Sequence, residues 1–197
     1  MRTAEVARKT GETEVFVKLN IDGTGVSEID TGCPFLDHML TLFSRHSRMD
    51  MTVKAKGDIE VDYHHTTEDV AIEIGAALAQ ALATESAMCG INRYGDTILP
   101  MDEALILTAV DISGRSHLEY KADFIAKRVG GFDTELCEEF WRAFVRKAGI
   151  TLHIRQLAGT NSHHIIEGIF KSVARSLYEA LSKNEKFNDI PSTKGVI

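Results

Sequence analysis

His64-His65-Thr66-Thr67-Glu68 and His163-His164-Ile165-Ile166-Glu167 are two copies of one pattern, His-His-x-x-Glu, ninety-nine residues apart. Each copy runs into a long apolar-periodic stretch, so each is expected at the start of a helix. Positions i and i+3 of a helix share a face, which predicts that the second His and the Glu of each copy converge on one point. Two imidazoles and a carboxylate, supplied twice, form a ligand set for divalent metal. A nitrogen and oxygen set without thiolate suits Mn, Fe, Co or Zn. The spacing differs from the His-Glu-x-x-His of zinc proteases, which speaks against that chemistry. One copy alone is explained by a helix N-terminus whose first-turn carboxylate suits the dipole; a second copy on the same module asks for more.

That module is a helix followed by a strand. Residues 35–46 read as a helix, with Pro34 suited to its first turn, and residues 51–55 as a strand. Residues 134–147 and 150–157 repeat the pair, and helices are expected again at 66–83 and 164–181. Both halves thus read helix, strand, loop, His-His-x-x-Glu, helix. The pattern predicts an internally duplicated α+β two-layer unit, with halves 1–92 and 93–197 forming one compact catalytic body. Aligning the first helices on the strands that follow sets His38 opposite Glu139. Each half then offers four candidate ligands: His38, His64, His65 and Glu68, against Glu139, His163, His164 and Glu167. Eight ligands serve two metal ions with positions left open for a substrate.

Elsewhere, residues 14–20 alternate like a strand, closed by a hairpin turn at 22–25. Residues 90–95 read as a loop between the halves. A buried strand at 104–112 is turned by Ser113-Gly114-Arg115 into a returning hairpin strand at 117–123, and the tail 191–197 reads as polar and extended. Trp141 and Phe144 read as core residues, His153 as packed or hydrogen-bonded, and His117 as structural or exposed. Asn20-Ile21-Asp22-Gly23-Thr24 is only superficially like the aspartyl phosphatase motif, because the nucleophile's position holds Asn20.

Composition narrows the function. The chain has 197 residues, 44% hydrophobic, with a net charge of -7. No basic run or stripe suits a nucleic acid. A local anion pocket stays open: Arg93 and Arg115 lie near glycines, Lys171 is one turn past Glu167, and Lys194 sits in a Ser-Thr-Lys-Gly tail. Cys33, Cys89 and Cys137 are odd in number and lack Cys-x-x-Cys spacing, which fits a reduced cytoplasmic setting. No apolar run approaches the roughly 20 residues that span a bilayer, and no membrane partner is expected.

Taken together these motifs resemble the imidazoleglycerol-phosphate dehydratase family of histidine biosynthesis along nearly the whole chain. The resemblance is carried by Phe35-Leu36-Asp37-His38-Met39, His64-His65-Thr66 with Glu68-Asp69, Arg93-Tyr94-Gly95 and Pro100-Met101-Asp102-Glu103-Ala104. It continues in Asp111-Ile112-Ser113-Gly114-Arg115, Asn161 to Glu167, Phe170-Lys171 and Pro191-Ser192-Thr193-Lys194-Gly195. It implies a monofunctional lyase with two Mn²⁺ per active site that dehydrates imidazole glycerol phosphate to imidazole acetol phosphate. It also implies a homo-oligomer of twenty-four copies with sites at subunit contacts. The implied metal ligands are His38, His64, His65, Glu68, His163, His164 and Glu167. Some members have His at position 139; here Glu139 departs from that version, although the internal repeat nominates it too. Implied phosphate contacts are Arg93, Arg115, Lys171, Ser192, Lys194 and His46, and Glu12 is an implied substrate-contacting acid.

The chemistry accounts for the metals. The C–H bond to be broken is not next to a carbonyl, so enolisation cannot stabilise a carbanion. A substrate imidazole bridging two cations can become imidazolate, expel the hydroxyl and pass through a diazafulvene-like intermediate. Glu167 and Glu12 are the candidates for acid–base work, beside the catalytic metal ligands His65 and His164. A metal-dependent hydrolase and a non-catalytic metal store stay open as alternatives from the residues themselves. The store would not need Arg93, Arg115, Lys171 and Lys194.

Overall fold

The computed structural model describes residues 1–184, 186 and 189–194; Gly195 of the tail motif, with Val196 and Ile197, lies outside them. The first half runs β1 (Thr3–Lys9), β2 (Thr13–Asn20), β3 (Ser27–Asp30), α1 (Pro34–Ser47), β4 (Asp50–Gly57) and α2 (His64–Ala81). After a short α3 (Glu85–Met88), the second half runs β5 (Tyr94–Met101), β6 (Ala104–Asp111) and β7 (His117–Lys121). It continues with a small hairpin, β8 (Arg128–Val129) and β9 (Phe132–Asp133), then α4 (Leu136–Ala148), β10 (Thr151–Ala158) and α5 (Ser162–Leu181).

The duplication is written in the strand order. One sheet runs β1-β2-β4-β3 and the other β5-β6-β10-β7. In both, the first two pairings are antiparallel and the last is parallel. Alternation makes each sheet one-sided: Val15, Val17 and Leu19 of β2, and Ala104, Ile106 and Val110 of β6, point inward and are buried. The helices of each half cover the sheet of that half, and they meet one another across the halves. α1 packs on α5 and α2 on α4, so each helix pair joins the two halves. A stripe on α4 supplies Leu136, Phe140, Trp141 and Phe144 to the seam. Trp141 meets Phe43 of α1 at 6.0 Å and Phe170 of α5 at 4.8 Å between ring centres, within one continuous apolar core.

Several expectations are corrected here. β7 pairs parallel with β10, so residues 117–121 do not return as a hairpin beside β6. The turn after β2 crosses over β4 to reach β3 rather than closing a hairpin. β1, β3 and β5 escape sequence reading because they are edge strands, half solvated on their inner face, and β5 carries Gly95 and Pro100. Gly95 is required there, since a Cβ would strike the backbone oxygen of Ser176 on α5. His153 is exposed rather than packed and faces His117 across β7 and β10, their rings 5.8 Å apart. Among the described residues no helix is long and apolar enough to cross a membrane.

Arg2 ties the start of the chain to the end of α5 while paired with Asp22. Arg2 donates to both carboxylate oxygens of Asp22, through its own backbone N–H and its guanidinium, and its Nη1 reaches the Leu181 carbonyl at 2.8 Å. The hydrogen bond from Arg2 holds the Asp22 carboxyl below its ordinary range, outweighing desolvation. A lowered carboxylate pKa contributes stability that is full above the unfolded value of about 3.9 and is lost as pH falls through the folded value. The Asp22→Asn variant is therefore expected to show a flatter acid limb of Tm against pH below about pH 4. Parallel acid limbs in the two proteins would disprove this assignment.

Candidate active site

Both His-His-x-x-Glu segments begin a helix, and a side chain fixes each entry. Asn161 Oδ1 accepts the backbone N–H groups of His163 at 2.9 Å and His164 at 3.4 Å, capping α5. Asp62 Oδ1 accepts the N–H of His64 at 2.7 Å ahead of α2. From the capped start of α5, His163 Nε2 lies 3.1 Å from Glu167 Oε2. The partner of the glutamate is thus the first histidine of the pair, at i and i+4, and not the second. Four residues lie closer to one 3.6-residue turn than three do.

α1, packed on α5, brings His38 Nε2 to 3.6 Å from the same Glu167 oxygen. The ligand atoms of His38, His163 and Glu167 all lie within 4.8 Å of one another, and they form one group of metal-ligand type among the described residues. The set crosses the halves, so the division of four ligands per half does not hold in space. Glu167 is 7% exposed, whereas the two histidines open to solvent. Burial pushes the Glu167 carboxyl up, but the Lys171 ammonium at 2.5 Å, with His163 and His38, brings it below its ordinary value. Phe35, packed at a tilt against Phe132 of the β8–β9 hairpin, stands edge-on to the His163 ring at 5.3 Å and limits its rotation.

The second histidines turn elsewhere. His65 Nδ1 contacts Asp58 Oδ2 at 2.9 Å, with Glu12 Oε2 at 3.8 Å. His164 Nδ1 contacts Glu103 Oε2 at 2.7 Å. The hydrogen bond from His164, with those from the Asn161 and Thr160 backbone, depresses the Glu103 carboxyl to about 2. Hydrogen bonding to Asp58 and Glu103 raises the pKa of His65 and His164 respectively. Sequence reading missed Asp58 and Glu103. The signal was present: Glu12 and Glu103 each stand immediately before the second strand of their half's first hairpin.

By the same duplication the counterpart of His38, His163 and Glu167 is Glu139, His64 and Glu68, spread over the α4–α2 pair. These three are not gathered. Glu68 is held instead by Arg146 of α4, Nη2 to Oε1 at 3.0 Å, and the Glu139 side chain makes no hydrogen bond among the described residues. The basic candidates also divide. Arg93 donates to Asp111 at 2.8 Å and to the Pro191 carbonyl at 2.8 Å, and Arg115 approaches Asp111 at 3.7 Å, which joins both to the tail bearing Ser192 and Lys194. His46 instead belongs with Lys171: burial lowers its pKa first, and the Lys171 and Arg175 charges lower it further.

This arrangement has relatives. The family model of imidazoleglycerol-phosphate dehydratase matches residues 31–177. The chain belongs to this family. It is 52% identical over 196 residues to the imidazoleglycerol-phosphate dehydratase of Desulforamulus reducens, covering 100% of this chain and 98% of that one. The enzyme of Acetivibrio thermocellus is 50% identical over 196 residues, covering 100% and 99%. The crystal structure of the Staphylococcus aureus dehydratase superposes with a TM-score of 0.83 at 41% identity, over 92% of this chain and 99% of that one. The Pyrococcus furiosus structure gives 0.82 at 36%, over 98% and 100%. The duplicated α+β unit is therefore that of the family, and the chain is a dehydratase, a lyase of histidine biosynthesis.

The donor set fits a divalent ion. It combines imidazole nitrogen and carboxylate oxygen without thiolate, with a buried anionic oxygen behind two solvent-facing rings. Three protein ligands leave positions for further groups.

Proposed function

We propose that this enzyme converts imidazole glycerol phosphate to imidazole acetol phosphate with two Mn²⁺ per active site, through an imidazolate form of the substrate ring. The observation that carries the reading is the convergence of His38, His163 and Glu167 from two halves of the chain on one solvent-facing point. When bound, the cations act as Lewis acids that lower the cost of removing the ring N–H proton. His38, His163 and Glu167 would hold one of them, and His64, Glu68 and Glu139 belong to the pseudo-equivalent second set. His65 and His164 complete the eight candidates. Glu167 Oε1, already bound to Lys171, and the Glu12 carboxylate, which accepts no hydrogen bond among the described residues, are the groups suited to hold or move the C–H and hydroxyl protons.

Phosphate recognition falls to cations. Lys171 and His46 form one group, Arg93 and Arg115 with the tail residues Ser192 and Lys194 another. A single small phosphate that uses both groups needs them brought together. This separation, and the incomplete gathering of the eight ligands, supports a site shared between copies in a large homo-oligomer, for which twenty-four copies is the proposed state. Fixing the phosphate holds the ring in register with the acid–base groups, a positioning contribution.

The test is direct. Purified protein is incubated with imidazole glycerol phosphate after chelator treatment and again after Mn²⁺ is restored, and acetol phosphate is followed. Turnover that vanishes with chelator and returns with Mn²⁺ is the expected result. Equal turnover in both conditions would remove the metal from the reaction.

A further inference from the structure

His65 and His164 occupy matching places in the two halves, and each has Nδ1 held by a carboxylate from a neighbouring loop, Asp58 at 2.9 Å and Glu103 at 2.7 Å. An ionised carboxylate only accepts hydrogen bonds, so the proton in both contacts belongs to Nδ1. In the neutral ring Nε2 then carries the lone pair, with Asp102 Oδ2 at 3.6 Å from that of His164, and the carboxylate on Nδ1 sets the direction in which it points. We infer that Asp58 and Glu103 are positioning residues that aim His65 and His164 at a divalent cation, and that Asp58 thereby frees Glu12 to act on the substrate. This rests on the metal-dependent reading above and adds to it two acids with different duties from Glu12.

The internal duplication carries the argument. Glu12 directly precedes β2 and Glu103 directly precedes β6, so they are counterparts at one hairpin. Their surroundings differ. Glu103 is fully engaged: one oxygen takes His164, and the other accepts the N–H groups of Asn161 at 2.8 Å and Thr160 at 3.3 Å. It ties the β5–β6 hairpin, the entry of α5 and the His164 ring into one rigid unit. Glu12 stands 3.8 Å from His65 Nδ1, beyond hydrogen-bond length, and its carboxylate accepts no hydrogen bond among the described residues. Asp58 has taken that nitrogen. Asp58 is the first residue after β4; the first residue after β10 is Gly159, which has no side chain to offer. The second half therefore spends its hairpin acid on the imidazole. The first half has a loop acid for that task and keeps its hairpin acid uncommitted, the condition a proton-transfer group needs.

The experiment measures Mn²⁺ affinity of the full-length assembled protein by calorimetry and by the spin-resonance signal of free Mn²⁺, alongside steady-state kinetics. Asp58→Asn and Glu103→Gln are each expected to weaken Mn²⁺ by roughly 10–100-fold, the usual effect of losing a carboxylate that orients a ligand histidine. Glu103→Asp, which keeps the charge, restores most of the affinity and separates orientation from a folding defect. Glu12→Gln keeps wild-type affinity while kcat falls by roughly 10²–10⁴-fold. Wild-type Mn²⁺ affinity in both Asp58→Asn and Glu103→Gln would overturn the inference and leave the metal-dependent reading standing. So would a Glu12→Gln protein as weak for Mn²⁺ as Glu103→Gln. A wild-type protein that binds no Mn²⁺ would defeat both readings, and it is recognised before any variant is made.

Discussion

Glu167→Gln is expected to lower kcat by roughly 10²–10⁴-fold and to weaken Mn²⁺ binding at the same time. The substitution keeps the size of the side chain and removes its charge, and three neighbours depend on that charge. His163 and His38 lie 3.1 and 3.6 Å from Oε2, and Lys171 lies 2.5 Å from Oε1. The neutral amide offers one oxygen where the carboxylate offered two, so the Lys171 ammonium, 17% exposed, is left without its counter-ion in a half-closed site. Metal affinity falls because an anionic oxygen is lost, and turnover falls because the same oxygen pair is suited to proton transfer. The comparison that isolates the effect is Lys171→Met. This change removes the ammonium but leaves the carboxylate, so it is expected to raise KM for the phosphate substrate while Mn²⁺ is still bound. Mn²⁺ titrations and kinetics of the two variants check this. A Glu167→Gln enzyme with wild-type affinity and turnover would remove Glu167 from the site.

The second large effect concerns stability. Trp141→Ala is expected to cost about 3–5 kcal/mol of folding free energy, the range for emptying a large aromatic site in a packed core. Trp141 is 0% exposed and touches the rings of Phe43, Phe140, Phe144 and Phe170. Those rings come from α1, α4 and α5, so the cavity would open between the helix that bears His38 and the helix that bears His163 and Glu167. Loss of stability should therefore be accompanied by weaker Mn²⁺ binding even where the protein stays folded. Denaturant unfolding, with Mn²⁺ titration below the transition, measures both. A cost under about 1 kcal/mol would mean that the seam between the halves is not held by this cluster.

The chemistry of this protein is legible in its sequence to an unusual depth, because the chain repeats itself. Two His-His-x-x-Glu segments on the same helix-strand module are sufficient to nominate a metal-ligand set, to align His38 with Glu139, and to foresee the duplicated α+β unit; the dehydratase chemistry comes from the family resemblance. Local physics suffices for those inferences. Strand and helix periods are short, and the inward faces of β2, β6 and α4 follow their apolar spacing. Edge strands were lost for the same reason: β1 and β5 bury too little of either face to leave a clear period.

What the sequence could not decide is which distant residues meet. Nothing in the spacing indicates that α1 packs against α5 and α2 against α4, so the ligands appeared to belong to separate halves, whereas His38 joins His163 and Glu167 across them. Nothing local distinguishes Glu12 from Glu103 either, although each precedes the second strand of its hairpin. That difference arises because β4 is followed by Asp58 and β10 by Gly159, and because each loop folds back onto the start of the helix after it. Residue types and their repeats set the chemistry available to the chain. Packing of two one-sided sheets and their shared helices sets which of those groups act on the same point.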